Sequence, residues 1–415
     1  MRKIIIFFII LTIIGTVSLV AINLRKDSSH TDDTSEAEIS QPIDLSGLDS
    51  YQPAGSMATV TDAGAVDAAA SQSFTISMNF VGDIMLAGND TATSSIDAMA
   101  NSQPSTYFFE NIRDYFLNDD ITIANCENVF SDNDNLVKTD KGEAAALEQY
   151  NNAVAEYNSA VALAQQTGTT VSMEKPEYTF RAFWFRSHAA TAKLLPENGV
   201  DVVSIDNNHT YDFGTDGNMD TRAALDVAGV DWGKDGKIVY KEINGFKIAF
   251  VFGSMYSAGA EQAMLVDLEE ANANSDYQVV YFHGGEEKVH AYEDWKQASC
   301  HNLVDHGADL VIGSHPHVLQ PMETYNGANI VYSLGNFIFG GNNYPENRTL
   351  IYNQTLTITQ DAATGGFTVA NTDVTLVPCY VYTGESNNYQ PAVIDNETDK
   401  QLVIDFMQGK RELPY

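Results

Sequence analysis

The feature that most constrains the fold is an apolar run that ends in a histidine-rich turn. Residues 309–318 read Asp-Leu-Val-Ile-Gly-Ser-His-Pro-His-Val. A short apolar run that ends at glycine is typical of a buried parallel strand, and open α/β sheets bind ligands just beyond the carboxyl ends of such strands. Pro316 fixes its own φ and favours an extended conformation at His315. The pattern predicts an α/β fold in which His315 and His317 lie at a ligand-binding edge.

Four other strand-like segments end in side chains that bind metals, which extends this pattern along the chain. With the histidine pair, the candidate ligands are Asp83, Glu127, Asn208, His283, His315 and His317. Because parallel strands direct their carboxyl ends to one edge of a sheet, we expect these side chains to lie close together. Mixed oxygen and nitrogen ligands suit Mn, Fe or Zn and differ from a closed structural zinc site.

These ligands are more numerous than one tetrahedral ion needs, which indicates a pair of divalent ions. One ion is the alternative. A pair of ions bridged by Glu127 would support hydrolysis of phosphate or amide bonds with a metal-activated water. His209 and Asp212 are the candidate catalytic residues, with His209 as the proton donor to the leaving group. Two alternatives remain at this stage: loop histidines bonded to the backbone, and Cys126 as a further ligand.

Charge and cysteine content restrict the function class. The formal charge of −34 and the isoelectric point near 4.3 argue against a nucleic-acid partner, which would need clustered Lys and Arg. The three cysteines cannot all pair within the chain, and no CxxC motif is present, so neither a disulfide scaffold nor a zinc ribbon is indicated. An acidic surface is typical of a soluble body that faces the outside medium.

The N-terminal residues predict attachment to a membrane. Residues 4–22 are almost entirely apolar and lie between Arg2-Lys3 and Arg25-Lys26. About 20 apolar residues can span a bilayer as a helix, and the basic terminus favours a cytoplasmic N-terminus. We therefore predict a single-pass membrane anchor over residues 1–26 with the catalytic body extracellular. A cleaved signal peptide is the alternative, and it also places the remainder outside the cell.

The rest of the chain divides into a linker, a domain and a tail. Residues 27–73 are acidic and polar, which predicts a disordered linker. The folded domain is predicted over 74–395, followed by a tail over 396–415. Within the domain, residues 138–178 form a predicted helical insertion that is expected to pack on the domain edge or on a partner. Its apolar residues recur at spacings of three and four: Leu147, Tyr150, Val154, Tyr157 and Val161.

Local signals also predict individual elements. Asn244-Gly245 between two apolar runs is a strong signal for a β-hairpin. Residues 107–117 and 292–306 have the spacing of amphipathic helices.

As a set, the motifs resemble the CapA family of poly-γ-glutamate capsule biosynthesis proteins, a branch of the calcineurin-like metallophosphoesterases. The resemblance covers roughly residues 74–389. It implies a four-layer α/β/β/α sandwich and a membrane-anchored, external protein that acts in the synthesis or export of an anionic glutamate polymer. The motifs that carry it are Gly82-Asp83-Ile84-Met85, Asn125-Cys126-Glu127, Asn207-Asn208-His209 with Asp212 and Gly214, His283-Gly284-Gly285-Glu286-Glu287, Gly313-Ser314-His315-Pro316-His317 and Ser333-Leu334-Gly335-Asn336-Phe337.

The resemblance also implies roles for these residues. It makes Asp83 the opening aspartate, puts Glu127 in the place of a bridging aspartate, and makes His209 the acid histidine. It assigns the remaining ligand positions to Asn208, His283, His315 and His317. The superfamily usually opens Asp-x-His, whereas Met85 occupies that position here, and a thioether is a poor ligand for hard cations. A mononuclear site is therefore the alternative to a dinuclear one.

Together these features predict a cell-surface, metal-dependent hydrolase in capsule biosynthesis. Its expected substrate is an anionic polymer or a phosphoester, cleaved at a phosphoester or a γ-glutamyl amide bond. Expected partners are the membrane, through residues 4–22, and membrane polymer synthase subunits. The alternative is a non-catalytic accessory subunit that binds the polymer or the synthase.

Overall fold

A computed structural model describes residues 71–89, 95–167, 170, 173–178, 182–341, 343 and 347–412. The predicted anchor, and the predicted linker as far as residue 70, lie outside these residues. In the described part of the chain, no helix is long and apolar enough to cross a membrane. The first strand among the described residues begins at Gln72, two residues before the predicted start of the domain at residue 74.

Within the described residues, eight strands form the first sheet. Their spatial order is β17-β16-β15-β1-β3-β6-β7, and β14 pairs with β1. Strands β1, β3, β6 and β7 run parallel, so their carboxyl ends lie at the same edge. The strands are Gln72–Ile84 (β1), Ile121–Cys126 (β3), Val202–Ser204 (β6), Asp231–Gly233 (β7), Asn336–Ile338 (β14), Arg348–Gln360 (β15), Phe367–Tyr380 (β16) and Ala392–Val393 (β17).

The second sheet has six strands in the part of the chain that the structure describes, in the order β12-β13-β11-β10-β9-β8. Strands β9, β10, β11 and β13 are parallel, and every residue of β11 is buried, as the apolar run at 310–312 predicts. The strands are Val239–Ile243 (β8), Phe246–Met255 (β9), Tyr277–Gly284 (β10), Leu310–Ser314 (β11), Leu319–Tyr325 (β12) and Ala328–Leu334 (β13). A small third sheet contains Gly88–Asn89 (β2), Val129–Phe130 (β4) and Phe185–Ser187 (β5).

The two large sheets pack face to face. Met78 and Ile123 from the first sheet share one buried apolar cluster with Phe250 and Ile312 from the second. Burial of such side chains is worth roughly 1.5–3 kcal/mol each. This core holds together the two sheets whose strand ends carry the predicted ligands.

Helices cover the outer face of each sheet. On the first sheet, Val203 packs in one cluster with Phe116 and Leu225. On the second, Val280 packs with Leu268 and Leu303. The body is therefore built of helix, sheet, sheet and helix layers, and the predicted α/β class is confirmed. The helices are Ser95–Ser102 (α1), Arg113–Leu117 (α2), Glu143–Thr167 (α3), Gly214–Ala228 (α4), Gln262–Asn274 (α5), Asp294–Asp305 (α6) and Glu397–Met407 (α7).

Three short 3-10 helices complete the described structure of the first half: Tyr107–Phe109, Ala189–Leu194 and Pro196–Asn198. The first of these and α2 replace the single helix predicted over 107–117. The prediction over 292–306 matches α6 closely, and the Asn244-Gly245 turn joins β8 to β9 with positive φ values of 53° and 85°.

The insertion helix α3 is 25 residues long, but it does not bury the predicted apolar stripe. Leu147 is 45% exposed, and Val154 and Val161 are only half-buried. Among the described side chains of α3, only Ala164 is buried, at 8% exposure. Among the described residues the stripe is therefore only partly buried, and its packing on the domain edge or on a partner stays a prediction.

The C-terminal segment forms a helix that packs on the body. Asn396 caps α7 by accepting hydrogen bonds from the backbone N–H groups of Thr398 and Asp399. Val403 and Phe406 of this helix join the core between the sheets. The predicted tail over 396–415 thus contributes to the folded domain.

Candidate metal centre

Strand register brings the predicted ligands of the first sheet to its carboxyl edge. Asp83, near the end of β1, pairs with Asn125 of β3 on one side and with Asn336 of β14 on the other. Glu127 follows β3 directly, and its backbone N–H donates to the carbonyl of Ile84 at 2.8 Å. This hydrogen bond holds the backbone of Glu127 next to β1, the strand that carries Asp83.

The second sheet supplies the histidines at the facing edge. His283 lies in β10 opposite Ser314 of β11, and His315 and His317 follow immediately in the loop after β11. His283, His315 and His317 are all buried. Because the sheets pack face to face, these imidazoles meet the carboxylates of the first sheet.

Two overlapping groups of ligand atoms result. In one, Asp83, Glu127 and His283 place their atoms within 4.8 Å of one another; in the other, Glu127, His315 and His317 do so. Glu127 belongs to both groups, which is the position expected of a bridging ligand. The distances from Glu127 Oε1 are 3.6 Å to His283 Nε2 and 3.9 Å to His317 Nε2.

Asn208 lies at the outer side of the cluster. Its side chain is exposed, and its Oδ1 lies 2.9 Å from His283 Nε2. His315 Nδ1 lies 3.0 Å from that same nitrogen. The structure thus brings all six predicted ligands together. Five of them are buried, and Asn208 is exposed.

The electrostatics of the cluster suit a bound cation. Both carboxylate oxygens of Glu127 are buried and have no hydrogen-bond partner among the described residues. Burial raises the pKa of Glu127 well above its usual value, and the nearby Asp83 and Glu287 carboxylates raise it further. An uncompensated buried carboxylate is costly, and a divalent cation between the carboxylates and imidazoles would remove that cost.

Two of these histidines, His283 and His315, are held in the neutral form that binds metals. Burial lowers the pKa of His315 to about 2, and the neighbouring His283 and His317 add to this shift. Burial likewise lowers the pKa of His283. For Asp83, burial raises the pKa, but hydrogen bonds with His283 and His317 outweigh it and leave the pKa lowered. The donor set therefore offers neutral nitrogens and anionic oxygens, which suits a divalent ion.

The backbone of the histidine loop differs from the sequence prediction. His315 has a φ of 98° and His317 a φ of 57°, so His315 is not in the extended conformation expected before a proline. Positive φ costs a non-glycine residue about 1–3 kcal/mol and is concentrated at functional sites. Here it turns both rings inward while the His315 N–H donates to Asp83 Oδ2 at 3.3 Å.

The predicted catalytic pair forms a hydrogen-bonded dyad beside the cluster. His209 Nδ1 lies 2.8 Å from Asp212 Oδ2, and His209 Nε2 faces Glu127 Oε1 at 3.9 Å. The N–H of Phe185 donates to the same Asp212 oxygen, and its ring lies 4.6 Å from the imidazole. Burial lowers the pKa of His209, and Asp212 opposes that shift.

Three site residues were missed by the sequence reasoning. Asn125 donates to Asp83 Oδ1 at 2.8 Å, and Asn336 Oδ1 lies 2.8 Å from His317 Nδ1. Both belong to motifs that carry the family resemblance, so their motif position was the available signal. Lys141 pairs with Asp212 Oδ1 at 2.5 Å, and nothing in its local sequence indicates this contact.

Two other candidates have no place among the ligands. Burial raises the pKa of the Cys126 thiol to about 12, and Cys126 belongs to neither of the two groups of ligand atoms. Met85 is 5% exposed and packs with Ala87 and Phe185. It lines a cleft of about 530 Å³ that also contacts His209 and His317. A substrate could reach the cluster through this cleft.

Comparison with known proteins shows which family the chain is similar to. Residues 144–341 match the family described as "Bacterial capsule synthesis protein PGA_cap", and this region holds Asn208, His283, His315 and His317. The chain is 26% identical over 365 residues to the capsule biosynthesis protein CapA of Bacillus anthracis, a match that covers 80% of this chain and 74% of that protein.

Two further similarities are shorter or weaker. The chain is 32% identical over 176 residues to the PGA biosynthesis protein CapA of Bacillus subtilis strain 168, which covers 37% of this chain and 46% of that protein. Among solved structures, the calcineurin-like phosphoesterase YfkN from Bacillus subtilis aligns with a TM-score of 0.37 at 14% identity, over 74% of this chain and 91% of that one.

Proposed function

We propose that this protein is a member of the PGA_cap family and a metal-dependent hydrolase that acts in the synthesis or export of capsule poly-γ-glutamate at the cell surface. The observation that carries the hydrolase proposal is Glu127, a buried carboxylate without a hydrogen-bond partner among the described residues, enclosed by Asp83 and neutral imidazoles. The names of the Bacillus relatives support the polymer.

The ligand set divides between the two overlapping groups. Asp83, Glu127 and His283 would hold one Mn, Fe or Zn ion, while Glu127, His315 and His317 would hold a second, with Asn208 at the mouth. A divalent cation supplies Lewis-acid polarisation of a substrate oxygen and makes water more acidic. A site that holds a single ion, shared by the same residues, supports the same chemistry.

The chain's own residues supply the proton. His209 directs Nε2 towards the cluster and Nδ1 to Asp212, so its orientation is fixed from the side away from the substrate. During bond cleavage the proton on Nε2 would pass to the leaving oxygen of a phosphoester or the leaving nitrogen of a γ-glutamyl amide. Both leaving groups need this proton, which is why the geometry supports either substrate class.

Activity of His209→Ala tests the proposal. The purified protein is loaded with Mn²⁺, its metal content is measured by mass spectrometry, and hydrolysis of a phosphodiester with an alkyl alcohol as leaving group and of poly-γ-glutamate is followed. We expect His209→Ala to keep the metal and to lose about 10²–10⁴-fold in rate. His301→Ala is the control, because His301 lies on α6 and contacts Glu323. No bound metal in the wild type would contradict the proposal.

A non-catalytic accessory role is the second candidate, and the place of Met85 favours it. Met85 is buried among apolar side chains at a position where the superfamily usually has a ligand histidine. Capsule formation in a deletion strain separates the two candidates. The hydrolase proposal expects no rescue by His209→Ala, whereas full rescue by that variant and by Glu127→Gln would establish the accessory role.

We also propose that residues 4–22 anchor the protein in the cell membrane with its body outside, where the polymer synthase and the anionic polymer would be its partners. The apolar run and its basic flanks support this arrangement. In untreated cells the protein should be found in the membrane fraction. Protease added to intact cells should degrade its body. Protection from the protease would contradict the proposal.

A further inference from the structure

The first residues of the predicted insertion form part of the site. Lys141 lies just before α3, and its ammonium nitrogen is 2.5 Å from Asp212 Oδ1 and 3.4 Å from His209 Nδ1. The side chain of Lys141 is 24% exposed, whereas that of Asp212 is fully buried. A charge from the insertion therefore contacts the proposed proton donor and its carboxylate partner.

Additional contacts hold this segment against the turn that carries the dyad. The N–H and the hydroxyl of Thr139 both donate to the backbone carbonyl of Asp212, at 2.9 and 3.1 Å. Trp184 Nε1 donates to the carbonyl of Thr139 at 3.0 Å, and the Lys141 ammonium lies 5.8 Å from the centre of the Trp184 ring. Lys141 is thus held in place by backbone hydrogen bonds two residues away.

The contact with Lys141 compensates the buried carboxylate of Asp212. Its Oδ2 accepts from the Phe185 N–H and from His209 Nδ1, and its Oδ1 faces the Lys141 ammonium. A buried carboxylate is costly unless it is paired and hydrogen-bonded. With Oδ2 hydrogen-bonded and Oδ1 paired with the Lys141 ammonium, the Asp212 carboxylate is held in place. It therefore accepts the Nδ1 proton of His209 and leaves Nε2 directed at the substrate.

We propose that Lys141 is a positioning residue for proton donation by His209: through Asp212 it holds the imidazole in the orientation that presents Nε2 to the leaving group. In the reaction, His209 Nε2 would lose its proton to the leaving atom while Nδ1 keeps its proton, bonded to Asp212. Lys141 exchanges no proton. This inference rests on the proposed hydrolase function, and it gives the insertion a catalytic purpose that its exposed helix does not indicate.

Leaving-group dependence distinguishes positioning from other roles. Lys141→Met is compared with Lys141→Arg, which keeps the charge, and with Lys138→Met, which makes the same charge change three positions earlier at a lysine 5.1 Å from the centre of the Trp184 ring. Each variant hydrolyses paired substrates with either a nitrophenol or an alkyl alcohol as leaving group. Nitrophenolate leaves without a proton, whereas an alkoxide requires one.

For Lys141→Met we expect kcat to fall about 10²-fold on the alkyl substrate and only slightly on the nitrophenyl substrate, with KM unchanged. Lys141→Arg should recover most of the loss, and Lys138→Met should behave as the wild type. An equal loss on both substrates, or a change confined to KM, would overturn the inference; the second result would make Lys141 a substrate contact.

A spectroscopic readout decides the inference even if the wild type hydrolyses none of the substrates. Nitrogen-15 NMR of the metal-free protein shows the signals of the two imidazole nitrogens of His209. These signals are identified by their loss in His209→Ala. We expect Lys141→Met to shift or broaden the Nδ1 signal, and Lys138→Met to leave it in place. An unchanged signal in Lys141→Met contradicts the positioning role, whereas an inactive wild type contradicts the hydrolase proposal alone.

Discussion

At the residue scale, two buried glutamates differ in what surrounds them. Glu261 is 6% exposed, and its oxygens accept hydrogen bonds from Ser299 and Asn302. Glu127 is fully buried, and among the described residues neither of its oxygens has a hydrogen-bond partner. The first arrangement is satisfied by the protein, while the second requires a cation or a proton.

Replacing Glu127 by glutamine should therefore affect metal binding more than folding. We expect Glu127→Gln to weaken Mn²⁺ binding by at least about tenfold, because the shared ligand is lost. Without metal, its thermal midpoint should equal or exceed that of the wild type, since a buried charge beside Asp83 is removed. Calorimetric titration and thermal unfolding measure both quantities.

Glu261→Gln is the matched control and should bind Mn²⁺ as the wild type does. Retention of wild-type affinity by Glu127→Gln would remove Glu127 from the site.

Asp119 provides a pH prediction away from the cluster. Burial raises the pKa of Asp119 to about 7; the nearby Asp201 carboxylate adds to the shift, and the Thr122 hydroxyl opposes it. The unfolded value is about 3.9, so between about pH 4 and 7 the folded state binds more protons than the unfolded state. The contribution of Asp119 to stability is therefore present below pH 4 and is lost as pH rises to 7.

Asp119→Asn removes this titration. We expect its free energy of unfolding to decline less steeply than that of the wild type between pH 4 and 7, measured by urea unfolding at intervals of pH. Parallel curves for the two proteins would contradict the assignment.

At the scale of elements, β1 approaches the loop after β13 very closely. A Cβ added at Gly82 would lie 1.8 Å from the carbonyl oxygen of Gly335, and the Asp83 N–H donates to that same oxygen at 3.0 Å. The contact aligns Asp83 with Asn336 of β14. The absence of a side chain at Gly82 thus lets Asp83 lie close to the end of β13 in the second sheet.

Gly82→Ala should destabilise the protein by about 1–3 kcal/mol, because backbone must move to admit the methyl group. It should also weaken metal binding, since Asp83 moves with it. Gly340→Ala is the control, because its Cβ would meet Tyr389 at an ordinary 3.8 Å. Chemical unfolding and metal titration check both effects, and wild-type stability of Gly82→Ala would show that the close approach is absent.

The elements also show what sequence can predict. Asn244-Gly245 determines its own hairpin locally, and the apolar run of β11 determines a buried strand, so both were predictable. The stripe on α3 predicted a buried face, but burial depends on a neighbouring surface that periodicity does not encode. Lys141 escaped prediction for the same reason, because its contact with Asp212 joins residues 71 positions apart through tertiary structure. The positive φ of His315 also runs against the local preference before proline.

At the scale of the whole domain, the site lies where the two large sheets meet. Asp83 and Glu127 come from the first sheet, and His283, His315 and His317 from the second. The position of the ligands at strand ends was predictable, because parallel strands share an edge. That two separate sheets pack against each other was predicted only from the family resemblance. An ion bound here would join the sheets.

Metal should consequently stabilise the folded domain. At a free Mn²⁺ concentration about 100 times the dissociation constant, we expect about 2.7 kcal/mol of added stability. The thermal midpoint should rise with Mn²⁺ and return to its starting value with a chelator. Mg²⁺ is the comparison ion and should stabilise less, because imidazole is a poor ligand for it. An unchanged midpoint at saturating Mn²⁺ would contradict a site between the sheets.

The most direct test of the central claim is anomalous X-ray scattering from crystals of the protein grown with Mn²⁺. The account predicts an anomalous peak bounded by Asp83, Glu127 and His283, with any second peak bounded by Glu127, His315 and His317. A Mn²⁺ peak elsewhere on the molecule, with the Glu127 carboxylate in contact with protein donors alone, would contradict it.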